Sequence, residues 1–74
     1  MGIYIFNNSI SFHKLSSLKE INNVLKKLES KFPIEVYPNY LDEVNFYKFN
    51  FKESISDEIL AEVQLFLNQF NRNA

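Results

Sequence analysis

Seventy-four residues with a net charge of −1 and no cysteine exclude disulfides and thiolate metal sites, and so even a charge balance points to neither nucleic acid nor membrane. A chain this short makes one domain, residues 1–74, and buries only about 60% of the surface its unfolded form exposes. With 46% hydrophobic and 16% aromatic residues, eight of them Phe, it has enough apolar material for a core and is too apolar for disorder. Stability must come from that packing, with self-association as further support.

The charge is unevenly spread. Residues 1–34 carry five Lys against two Glu, a balance of +3, while residues 35–74 carry three basic residues against seven acids, a balance of −4. Such asymmetry marks a basic and an acidic face, or lets two copies pair head to tail. No basic segment followed by an apolar stretch opens the chain, and no apolar run approaches the roughly 20 residues of a membrane span. Phe6 stands where a myristoylation start has Ser or Thr. A cytoplasmic protein is expected. The abundance of Asn, Ile, Lys, Phe and Tyr suggests an AT-rich bacterial or phage genome.

In chain order, Ile3 to Phe6 is a short apolar and aromatic run. Asn7-Asn8 offers two residues that tolerate the left-handed backbone of a tight turn. Ser9 to His13 then alternates, with Ile10 and Phe12 against Ser9, Ser11 and His13, so a β-hairpin is predicted. Ser17 to Glu20 is a capping box. Behind it, Leu18, Ile21, Val24, Leu25, Leu28 and Phe32 fall in one arc of a helix over 17–31, which Pro33 stops. Ile34 to Tyr37, between Pro33 and Pro38, is predicted as an edge strand. Asn39 to Glu43 reads as a polar loop carrying Tyr40 and Leu41. Val44 to Phe51 is the longest strand candidate.

A second helix over 57–71 starts after the cap Ser56, with Asp57 and Glu58 suited to its N-terminal dipole. Ile55 and Leu60 form a hydrophobic staple, and Arg72 suits the C-terminus. The apolar stripe is Ile59, Leu60, Val63, Phe66, Leu67 and Phe70. Phe12 and Phe51 each precede a cap serine by five residues, which suggests a doubled ββα unit. The predicted fold is α+β: a small antiparallel sheet of three or four strands with two amphipathic helices on one face, in ββαββα or βαββα order.

Catalytic equipment is sparse. The single glycine is Gly2, so neither a P-loop nor a dinucleotide-binding turn can form. His13 is the one side chain whose ordinary pKa lies near neutrality, and Ser17, close to it, is already a helix cap. Asp42-Glu43 and Asp57-Glu58 match no calcium-loop spacing. No catalytic residue, cofactor site or metal site is assigned.

Period 2 places Tyr47, Phe49 and Phe51 on one face of the long strand and Val44, Phe46, Lys48 and Asn50 on the other. Either a bulge separates Phe46 from Tyr47, or a Phe is left on the face away from the helices. An open sheet with aromatics and a lysine can dock a protein, dimerise or stack RNA bases. Leu65 lies off the second helix's stripe, one turn beyond Ala61.

The function expected is a small non-enzymatic protein-binding module, regulatory or inhibitory, able to self-associate. Its candidate contact residues are Tyr40, Leu41, Phe46, Lys48, Ala61 and Leu65. That reading requires Leu65, the Tyr40-Leu41 loop or the open sheet face to be exposed. The alternative is a nucleic-acid-binding domain using Lys19, Lys26, Lys27 and Lys48, which requires those four to converge. An enzyme would require a cleft where His13 meets carboxylates.

Overall fold

The Asn7-Asn8 turn closes a hairpin in the computed structural model, which describes residues 2–71. Strand β1 (Ile3–Phe6) pairs antiparallel with β2 (Ser9–His13), Phe6 opposite Ser9 and Ile3 opposite Phe12. Of the two turn residues only Asn7 adopts positive φ, 56°. Asn8 has another task. Its carbonyl accepts from the Phe51 N–H (3.0 Å) and its side-chain amide donates to the Phe51 carbonyl (3.3 Å), which extends the sheet past the turn.

Helix α1 (Leu18–Lys31) begins at the expected capping box: the Glu20 amide donates to Ser17 Oγ (3.2 Å), and the Ser17 amide to Glu20 Oε1 (3.3 Å). Ile21, Val24, Leu25 and Leu28 are buried, while Leu18, in the first turn, stays exposed. The helix ends at Phe32, whose φ of −122° and ψ of 152° are those a residue before proline is pushed toward.

The next segment corrects the expectation. Residues 34–37 form no strand, only a single antiparallel bridge between Val36 and Phe51. The Tyr37 amide donates to the Asn50 carbonyl and the Lys52 amide to the Glu35 carbonyl (both 2.9 Å), so the Val36 amide points away from Phe51 and donates instead to the Glu29 carboxylate (3.1 Å). Ile34 and Val36 still bury their side chains in the core. The third strand instead arises in the supposed polar loop. Strand β3 (Leu41–Asp42) pairs antiparallel with β4 (Phe46–Asn50), and β4 pairs antiparallel with β2. The sheet order is β1-β2-β4-β3.

Helix α2 (Asp57–Asn71) is capped by Ser56, whose Oγ accepts from the Ile59 amide (3.3 Å). Ile55 and Leu60, the expected staple, are both half-buried. Arg72 lies outside the described residues. The α2 side chain of Asn71 reaches back to β1: its Oδ1 accepts from the Ile3 amide (2.9 Å) and its Nδ2 donates to the Ile3 carbonyl (3.1 Å).

The fold is therefore α+β, in the order ββαββα, with four strands and both helices on one face. One core joins the layers. Ile3, Ile10, Phe12 and Phe49 from the sheet meet Ile21, Leu28, Val63 and Leu67 from the helices, and Phe12 meets Phe49 edge to face at 5.8 Å. Each half contributes a hairpin and a helix, and the second strands of the hairpins, β2 and β4, lie antiparallel at the centre. The topology is thus two-fold about an axis normal to the sheet. Phe12 and Phe51, which each precede a cap serine by five residues, are both buried.

Candidate functional site

Both helices cover the face bearing Ile3, Ile5, Ile10, Phe12, Tyr47 and Phe49. The strand pleat sends the alternate residues to the other face. Cross-strand register orders them in rows: Phe6, Ser9 and Asn50; then Tyr4, Ser11, Lys48 and Leu41; then His13 and Phe46. The choice left open for Phe46 is resolved without a bulge, since β4 pairs in continuous register from Phe46 to Asn50. Phe46 lies on the open face. It meets Tyr4 edge to face at 5.6 Å and His13 at 5.4 Å.

The two ends of this surface differ. Phe6 is 74% exposed, Tyr4 57% and Leu41 53%. Ser9, on the central strand, is buried and donates its hydroxyl to the Phe6 carbonyl (2.9 Å). At the far end the Lys14 amide bonds to the Asn45 carbonyl (2.9 Å), which brings together two neighbouring turns. Each turn holds a bare aliphatic side chain: Leu15, 91% exposed, and Val44, 90%. Charges here are balanced. Lys48 lies 3.9 Å from Glu43, and Lys14 pairs with Asp42.

The predicted contact residues do not all gather. Phe46, Lys48 and Leu41 share the open face. Tyr40 goes to the core side, its ring 4.7 Å from Tyr47 and 5.7 Å from Phe49. The supposed Tyr40-Leu41 cluster is therefore split across the sheet edge. Ala61 and Leu65 are exposed on α2, on the helical layer behind the sheet.

The four lysines do not converge. Lys19, Lys26 and Lys27 are exposed on α1, with Lys27 over the Phe70 ring at 5.8 Å, whereas Lys48 projects from the opposite side of the sheet. His13 Nδ1 accepts from the Leu15 amide (3.1 Å), and the His13 amide bonds to the Gly2 carbonyl (2.8 Å). Among the described residues His13 forms no ion pair with a carboxylate, and no group of three or more His, Asp or Glu side chains gathers to hold a metal ion. No described helix is long and apolar enough to cross a membrane.

Tyr4, Phe6 and Leu15 are surface residues that the sequence reading does not single out, whereas Val44 was placed on the face of Phe46 and Lys48. For Tyr4 and Phe6 a signal existed. A two-residue turn at Asn7-Asn8 forces Phe6 opposite Ser9 and Tyr4 opposite Ser11, so both must share the face of the serines.

A second concavity lies on the helical layer. Lys31, Phe32 and Pro33 at the end of α1 face Glu62, Leu65 and Phe66 of α2 across an open groove. The Phe32 and Phe66 rings meet at 5.7 Å, and the Lys31 ammonium lies 5.0 Å from the Phe66 ring centre.

Comparison with family models, with curated proteins and with solved structures returns no match to this chain.

Proposed function

We propose that the protein is a non-enzymatic, regulatory or inhibitory protein-binding module whose partner docks on the open sheet face. The observation that carries this reading is the set of uncovered side chains on that face, Phe6 and Tyr4 on β1 and Leu41 on β3, with the half-buried Phe46 against Tyr4. Aromatic anchors in a rigid setting carry much of the energy in protein interfaces, and four paired strands hold these ones still. Large exposed apolar patches mark such sites.

Charge selects the partner's chemistry. Lys48 and Lys14 each have an acid beside them, so the face lacks the unpaired cations that phosphate contacts require. A protein surface that is itself apolar and uncharged fits it.

The test is capture on the immobilised chain, followed by titration of the captured protein against variants. Phe6→Ser and Tyr4→Ser are expected to weaken binding about tenfold or more, as loss of an anchor does. Lys26→Ala and Lys27→Ala are expected to leave it unchanged. Capture that nuclease abolishes, or that fails only in the lysine variants, overturns the reading in favour of nucleic acid.

A further inference from the structure

We propose that the helical layer is a dimerisation surface, on which two copies of this chain place Leu65 in each other's Phe32–Phe66 groove. Leu65 is 72% exposed. It lies two residues from each of the buried Val63 and Leu67, about 200° around the helix from both, so it points directly away from the sheet. A projecting aliphatic side chain and an aromatic groove thus adjoin on one surface. That adjacency is what a self-complementary two-fold contact needs.

The charges follow the same symmetry. Helix α1 carries four lysines against two glutamates, while α2 carries Asp57, Glu58 and Glu62 and no basic residue. The Lys31 ammonium lies over Phe66 and, one turn earlier in α1, that of Lys27 lies over Phe70, one turn later in α2. The helices therefore run antiparallel, side by side. A two-fold axis along them, between the two, stacks α1 of each copy on α2 of the other. Basic helix then meets acidic helix twice. Lys31 of one copy faces Glu62 of the second, and Leu65 of one meets the Phe32 end of the other's groove. Within one chain neither Lys31 nor Glu62 has an ion-pair partner among the described residues.

The size is adequate. A standard interface takes about 800 Å² per partner, and a molecule 29 × 25 × 19 Å across its Cα atoms offers that on one broad face. The dimer would leave both open sheet faces outward, as a bivalent binder. This inference does not depend on the sheet face being a docking site, because the two surfaces share no residue.

The experiment is light scattering on a sizing column across protein concentrations, with far-UV circular dichroism to confirm folding of each variant. The wild-type chain is expected to reach dimer mass. Leu65→Ser is expected to raise the dimer dissociation constant by about tenfold or more, because it removes the side chain that fills the groove. Lys31→Glu alone and Glu62→Lys alone are expected to be monomers. Their equimolar mixture is expected to recover the dimer mass, since each then meets its opposite. A monomeric wild-type chain at every concentration overturns the proposal. So does a dimer whose dissociation constant Leu65→Ser leaves unchanged, or one that Phe6→Ser dissolves.

Discussion

Two asparagines hold the sheet where the chain itself cannot. Strand β1 is an edge, and its Tyr4 and Phe6 positions face β2 with their backbone groups, as the short turn dictates. Ile3 therefore points its N–H and C=O outward. Asn71 meets both with one side-chain amide, at 2.9 and 3.1 Å, so half of a four-residue edge is closed to pairing with other chains. Asn8 makes a matching grip on Phe51 at the end of the central strand. The turn role of Asn7-Asn8 could be read from sequence; the grip of Asn71 could not, since its target is 68 residues away and no periodicity marks a lone amide. Replacing Asn71 by Ala is expected to cost about 1–3 kcal/mol, the range for stranding partly buried backbone groups. Urea unfolding measures the loss. Hydrogen exchange at the Ile3 amide should accelerate in the same variant, while exchange at Ile10, on the inner strand, follows only the global change. An unchanged Ile3 rate would show that water serves that amide as well as Asn71 does.

At the scale of elements, local chemistry decided what was readable. Both helices were evident because their signals are short-range: a serine cap, acids in the first turn and an apolar stripe within each. The two caps are not equal. Ser17 and Glu20 exchange bonds in both directions, whereas Ser56 has a single bond from Ile59. Ser17→Ala is therefore expected to cost about 1 kcal/mol, toward 2 at most, and Ser56→Ala less. Equilibrium unfolding of the two variants in parallel checks the order. Strands fared worse for a physical reason. Ile34 to Tyr37 has the composition of a strand, yet only Val36 bridges Phe51, flanked by the bonds of the Tyr37 amide to Asn50 and of the Lys52 amide to Glu35. Leu41-Asp42 has no strand pattern at all, and pairs only because the Glu43–Asn45 turn folds it back on Tyr47 and Lys48. In both cases the outcome belongs to the pairing partner and not to the segment's own composition, and β-propensity measures such neighbours more than the backbone's own preference.

The whole molecule has two layers and three kinds of surface: a core between the layers, an uncovered sheet face and an uncovered helical face. The same strands serve the first two, so substitutions on neighbouring residues should act in opposite ways. Phe12 and Phe49 are fully enclosed and meet edge to face across β2 and β4. Truncating either to Ala removes a core ring and leaves a cavity, about 3–5 kcal/mol. Typical stability is roughly 0.05–0.15 kcal/mol per residue, so that loss takes a large share of what so small a domain has. Phe6 points into solvent and Tyr4 has one ring contact, with Phe46. Phe6→Ser is expected to change stability by less than about 0.5 kcal/mol, as exposed positions do, and Tyr4→Ser by about 0.5–1.5 kcal/mol for the lost edge-to-face pair. Chemical denaturation of the four variants tests the division. If Phe6→Ser proves as costly as Phe12→Ala, the supposedly open face is covered in the folded state, by a second copy or by chain outside residues 2–71. Concentration dependence of the unfolding midpoint separates those two covers, because only association with a second copy shifts with protein concentration. If the cost stays near zero, the Phe6 ring adds nothing to the fold, and its presence at the surface is left to be explained by what it binds.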